Sequence, residues 1–233
     1  MNTYEKYIGK FYKSFNEKGS HRYKSWEYCY RFFINNKEKL LNKPDASLID
    51  IAALNLSFYL ASWGMYRGSS FLLQTDYTVH KGAIETIFKE YYEPIIINKN
   101  VLTWKDNEID LLFELKEDLE NYYSEIRKNI IKSKRDTITD TLITKVLLGV
   151  LGVTPAYDRY FKEGLKSYNN KPNSQIPQTF NKQSFKGLIN FAQNLKNLPL
   201  PLKIDHRMKY PLMKLVDMYF WKYGENLERN KKK

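Results

Sequence analysis

Only one cysteine, Cys29, stands in the 233 residues, so the chain can build neither an intramolecular disulfide framework nor a cysteine-cluster zinc site. A reducing, cytoplasmic setting is the expectation that follows. Histidine is nearly as scarce: His21, His80 and His206 are too scattered for metal-ligand spacing or for a nucleophile elbow with serine, and no metal or other cofactor is expected. The 10 glycines form no phosphate loop of the Walker or dinucleotide type, which leaves nucleotide hydrolysis and hydride transfer without support and excludes a nucleotide cofactor. Long apolar runs are missing too. The longest, Leu48 to Tyr66, is interrupted by Asp50, Asn55, Ser57, Ser62 and Gly64, and it reads as a buried helix rather than a membrane span. Met1 to Lys18 mixes charges with aromatics around no apolar core, so no signal peptide is expected. Strand patterns are absent as well, Ile95 to Ile97 being too short to establish a sheet.

What the chain has in abundance is positive charge and aromatic rings. Lysine and arginine outnumber acidic residues 38 to 26, a formal charge of +12, which attracts polyanions. DNA, duplex or single-stranded, is the expected partner, and the charge carries no information on sequence specificity. The 19 tyrosines place many amphipathic rings at half-buried positions. Such rings suit a surface that stacks on bases and equally suit the rim of an ordinary core.

Helical periodicity recurs along the whole chain. Tyr4, Tyr7, Ile8, Phe11, Tyr12 and Phe15 mark a first amphipathic helix, and Trp26, Tyr30, Phe33 and Ile34 a second that stops at Lys43-Pro44. Between them His21-Arg22-Tyr23-Lys24 is a basic, aromatic loop able to grip phosphate through Arg22 and Lys24. A third helix opens with a capping box from Ser47 to Asp50 and continues through Leu54, Phe58 and Ala61. It reaches Ser62-Trp63-Gly64-Met65-Tyr66-Arg67-Gly68-Ser69-Ser70, where the two glycines let a backbone come close to a ligand or a neighbouring helix. Arg67 and Ser69 there could hold a phosphate, and Trp63 or Tyr66 could line a base pocket. Further helices are expected over Lys81 to Tyr92, ended by Glu93-Pro94, and over Asn107 to Lys134, Asn181 to Asn197 and Pro211 to Tyr223. Ser167 to Phe180 is the best loop, and the basic tail, residues 229–233, is expected to fray. The sum is an all-α, compact, monomeric unit of residues 1–233, with one core or with two lobes and a cleft between them.

The stretch from Asp136 to Leu165 organises the rest. Thr139 or Asp140 caps a nearly all-apolar helix carrying Leu142, Ile143, Val146, Leu147, Val150 and Leu151, with Lys145 in its middle. A buried ammonium is costly unless paired, so Lys145 either snorkels to the surface or sits in a pocket, where a neutral amine is a nucleophile. After Gly149 and Gly152 the chain turns, and Thr154-Pro155 reads as an N-cap followed by proline at the first helical position. Asp158 would then lie in the first turn of the next helix, complementing its dipole or facing a cleft beside Lys145.

The order Thr144-Lys145-Val146, apolar helix, short turn, Pro155-Ala156-Tyr157-Asp158 and aromatic resembles the core of the helix-hairpin-helix DNA glycosylases, over about thirty residues. The resemblance implies an all-α fold, with Asp158 as the essential carboxylate and Lys145 as the amine nucleophile of the lyase-capable branch. It further implies a base pocket of Trp26, Trp63, Tyr66 and Tyr157, and DNA contacts from Arg22, Lys24, Arg67, Ser69, Gly149, Gly152 and Arg159. Excision of a damaged or modified base from DNA would follow, in repair or in defence against phage whose DNA carries modified bases. The rival from another class is a non-enzymatic all-α module binding nucleic acid or a protein partner. Helical ribonucleases of the higher-eukaryote and prokaryote nucleotide-binding type are excluded by their own motif, since no arginine lies four to eight positions before any of the three histidines.

Overall fold

The structure is a computed structural model that describes residues 3–15, 17, 21–130, 137–170, 175–198 and 202–231. Among these residues it is all-helical. Ten α-helices and several short 3-10 turns carry the chain, and the only β-type pairing is an isolated bridge between Lys203 and Lys209. The helices are α1 Thr3–Ser14, α2 Ser25–Leu41, α3 Ala46–Ser62, α4 Lys81–Ile87 and α5 Glu93–Ile97. They continue with α6 Asp106–Ile130, α7 Asp140–Val150, α8 Arg159–Tyr168, α9 Lys182–Ala192 and α10 Leu212–Lys231. No described helix is long and apolar enough to cross a membrane.

The buried side chains form one continuous cluster reaching from Ile8 to Trp221. α10 runs through it, packed against α1, α8 and α9. Its contact with α8 is backbone to backbone: a Cβ at Gly164 would collide with the carbonyl oxygen of Phe220, and one at Gly224 with the carbonyl oxygen of Tyr160. This close crossing fixes the start of α8, and with it Asp158, against the middle of α10.

Several local expectations are corrected. The cap of α3 is Asp45, whose side chain accepts from the Leu48 amide, while Asp50 instead pairs with Lys81 and accepts from the Tyr77 hydroxyl. Leu54 and Phe58 face outward, 53% and 57% exposed, because Ile49, Ala52, Ala53, Leu56, Tyr59 and Leu60 form the buried face. An apolar helix with so little amphipathic contrast conceals which of its faces is inward. Glu93-Pro94 starts α5 rather than ending a helix, since proline at the first turn forfeits no intrahelical hydrogen bond. α10 continues through Arg229 to Lys231, with Arg229 paired to Glu225, so the tail is helical that far. The end of the expected Asn107 to Lys134 helix, from residue 131 on, and residues 171–174 of the expected loop lie outside the described residues.

Candidate active site

The helix α7 forms as its sequence dictates: the Thr139 hydroxyl oxygen accepts from the Leu142 amide, and every residue from Leu142 to Val150 is buried. Burial on all sides leaves Lys145 no route to snorkel. Its side chain is 3% exposed, and Nζ lies 3.2 Å from Asp158 Oδ2 and 4.9 Å from the centroid of the Trp63 ring.

The segment that brings Asp158 to this lysine is not helical, which corrects the reading of Thr154-Pro155 as a helix start. The amides that a helix would have left to its first turn are taken by side chains. Ala156 N donates to Asp217 Oδ1 at 3.0 Å and Tyr157 N donates to Thr144 Oγ1 at 2.9 Å, while Thr141 Oγ1 donates to the Tyr157 carbonyl at 2.9 Å. Pinned between α7 and α10, the chain enters α8 only at Asp158. That residue is itself the N-cap, its Oδ1 accepting from Phe161 N at 3.1 Å. One carboxylate oxygen thus caps a helix and the other meets Lys145.

The pair lies at the base of a cleft of about 610 Å³. Tyr23, Trp63, Tyr160 and Trp221 wall it with rings: Tyr23 and Trp63 are stacked at 4.9 Å, and Trp221 meets Trp63 at 5.9 Å and Tyr160 at 5.1 Å edge-on. Arg22, Arg67 and Arg159 stand at its rim. Arg159 is paired with Glu228 at 2.9 Å, whereas no described carboxylate pairs with Arg22 or Arg67. Among the described residues Asp158 is the one acidic side chain lining the cleft, against Arg22, Arg67, Lys145 and Arg159, so their local field is positive.

Beneath the floor lies a second buried pair. Lys214 Nζ meets Asp217 Oδ2 at 2.7 Å, and both side chains are almost fully enclosed. The ammonium lies 4.9 Å from the Trp26 ring, 5.2 Å from Phe11 and 5.3 Å from Trp63. Burial pushes the pKa of Lys214 below the ordinary lysine value, and Asp217 works against that shift. The two lysines and two aspartates come together along one narrow crevice with Tyr59, Leu148 and Ala156. Charges so placed compensate one another, which is the condition for keeping them in a core.

The remaining sequence-predicted residues divide. Arg22, Trp63, Arg67 and Arg159 line the cleft with Lys145 and Asp158. Ser69 lines an adjoining cleft instead. Trp26 is wholly buried between Tyr30 and Tyr210, its Nε1 donating to the Leu148 carbonyl at 3.0 Å, and Tyr157 is wholly buried with its hydroxyl on Ser184. Neither ring faces the cleft. Tyr66 sits behind the cleft lip, bonded through its hydroxyl to Ser57 at 3.0 Å and His80 at 2.7 Å. Lys24 lies beside Glu27, away from the lining. Gly149 packs against Tyr59 and Cys29; Gly152, at φ 70°, packs against Tyr30 and Pro211. Both glycines are interior. Tyr23, Tyr160 and Trp221 were missed as wall residues, and Lys214 and Asp217 altogether; three positions apart on a helix, the last two have the spacing of an ordinary surface ion pair.

Comparisons with family models, with curated proteins and with solved structures find no significant match to this chain. Among the described residues no group of three or more histidine, cysteine, aspartate and glutamate side chains is placed to hold a metal ion.

Proposed function

We propose that the chain is a DNA glycosylase that excises a damaged or modified base, with Asp158 as its essential carboxylate and Lys145 as the candidate amine nucleophile. The observation that carries this reading is the Lys145–Asp158 pair, 3.2 Å apart, at the floor of an arginine-rimmed, aromatic-walled cleft. A base turned out of the stack would lie against the rings of Tyr23, Trp63 and Tyr160, with the arginines on its phosphates. The carboxylate of Asp158 would stabilise positive charge developing on the sugar as the glycosidic bond breaks. In the lyase branch Lys145 first passes a proton to Asp158. Its nitrogen lone pair then bonds the anomeric carbon as the glycosidic electron pair leaves with the base, which takes the proton held by Asp158. A proton of the attached nitrogen then passes to the ring oxygen as that carbon–oxygen bond opens, leaving the Schiff base.

A non-enzymatic nucleic-acid-binding module is the second reading, favoured by one observation: Asp158 caps α8, a structural duty that would by itself account for the residue. The two readings part in one assay. DNA from several sources, including phage DNA with modified cytosines, is incubated with the protein and tested for free base and abasic sites. Release of base is the expected outcome; DNA binding with no base released from any of these DNAs would favour the module.

A further inference from the structure

The cleft does not end at Arg67. A second cleft of about 640 Å³ adjoins it, and Gly64, Met65 and Arg67 line both. Gly64 and Gly68 have positive φ, 76° and 60°, and turn the chain so that Arg67 lies back across the backbone of Gly64. A side chain at Gly64 would run into the Arg67 guanidinium. The arginine therefore lies on the ridge between the two clefts and lines both.

The second cleft has a different chemistry. Among the described residues, Arg127, Ser69, Ser70, Thr137 and Thr139 line it with Arg67, and no acidic side chain does. The one ring among those residues, Phe71, is only 5% exposed, so it offers no face for stacking. Ser70 Oγ accepts from Leu72 N and Thr139 Oγ1 from Leu142 N, each at 3.3 Å, which uses a lone pair and leaves the hydroxyl proton for an outside acceptor. Arg127 spends one N–H on the Thr137 carbonyl, at 3.2 Å, and keeps the rest of its fork. Donors without rings or carboxylates suit a sugar–phosphate, whereas the first cleft, with its rings, suits a base.

We propose that the second cleft binds the sugar–phosphate of the nucleotide next to the one whose base enters the first cleft. The substrate is then a DNA strand unpaired over adjacent nucleotides, rather than a duplex with a single base turned out. The inference rests on the glycosylase reading for the identity of the first nucleotide. One extruded base would fill one concavity and leave the neighbouring phosphates on the outer surface; two concavities joined at an arginine ridge match two successive nucleotides with their linking phosphate on Arg67.

The test uses a fluorescein-labelled mixed-sequence single-stranded oligonucleotide, the same strand annealed to its complement, a deoxynucleoside monophosphate and a dinucleotide. The intact chain is compared with Arg127→Gln, Arg127→Lys and Arg67→Gln. The single strand should bind about tenfold more tightly than the duplex. Arg127→Gln should weaken single-strand and dinucleotide binding several-fold, leave the monophosphate unaffected and flatten the salt dependence by about 0.7 in log–log slope, as expected for one lost phosphate contact on a single strand. Arg127→Lys, which keeps the charge, should retain most of the affinity and so show that the fold at Thr137 is intact. Tighter binding to duplex, or an Arg127→Gln protein with unchanged affinity and slope, would overturn the proposal even if base release is observed. Arg127-dependent strand binding without release of any base would instead sink the glycosylase reading and leave the second cleft standing as a strand-binding site.

Discussion

The amide of Ala156 donates to the buried carboxylate of Asp217 across 61 residues of sequence, and this bond holds in place the segment that ends at Asp158. Asp217 has a second duty toward Lys214. Asparagine at 217 can still accept from Ala156, but it leaves the Lys214 ammonium buried without its counter-charge. Asp217→Asn should therefore cost about 3–5 kcal/mol of stability. The double variant Asp217→Asn with Lys214→Met removes both charges and should recover most of that loss. Urea unfolding of the two proteins checks it, and equal losses in single and double variants would show that the pair is not what stabilises the segment.

The crossing of α8 and α10 is the least forgiving contact in the fold. A Cβ at Gly164 or Gly224 meets backbone, which has no rotamer to yield, so Gly164→Ala should destabilise by about 3 kcal/mol. Gly9, inside α1 with open space at its Cβ position, supplies the control: Gly9→Ala should stabilise by about 0.5–1 kcal/mol through the unfolded chain. Thermal unfolding should move in opposite directions for the two variants.

These residues also show where sequence is informative. α7 was legible because its cap, its length and its apolar content all lie in one short stretch, Thr139 to Val150. Lys145 and Asp158 were legible as a pair because they stand only 13 positions apart, across the end of one helix and the turn that follows. The non-helical path through Pro155 was not, because Thr144 and Asp217 satisfy its amides from other elements. Proline at 155 suits a helix start by local rule, and a tertiary hydrogen bond overrode it. Trp221 and Tyr23 had no local signature either. Each reads as one more aromatic on an amphipathic helix or loop, and only the packing of α10 against α8 and of the 21–24 turn against Trp63 makes them one wall.

His80 is buried between two hydroxyls, Tyr66 on Nε2 at 2.7 Å and Tyr123 on Nδ1 at 2.8 Å. Burial lowers its pKa from 6.5 to about 3, so the folded protein keeps the ring neutral while the unfolded chain protonates it below about pH 6.5. In the window between those values the unfolded state binds the extra proton. Stability should then fall by about 1.4 kcal/mol for each unit that pH drops below 6.5, down towards pH 3. Denaturant melts at pH 7 and pH 5 should differ by that contribution, and in His80→Gln the difference should shrink. An equal difference in the variant would assign the acid sensitivity to other groups.

Asp158→Asn separates the two duties of Asp158. Asparagine caps helices as well as aspartate does, so the bond from Phe161 N and the start of α8 should persist. What is lost is the charge facing Lys145 and the cleft. If the carboxylate acts on the transition state, base release should fall by at least about 10²–10³-fold while DNA affinity is unchanged or slightly raised by the more positive cleft. Stability should fall too, because Lys145 is left buried and unpaired, and Lys145→Met in the same chain should restore it without restoring activity. Lys145→Met alone then separates the chemical branches: loss of borohydride trapping to DNA with loss of base release makes Lys145 the attacking amine, whereas base release that survives assigns the attack to water oriented by Asp158. Full base release by Asp158→Asn would remove the carboxylate from the mechanism and return the Lys145–Asp158 pair to the architecture of the α7–α8 junction.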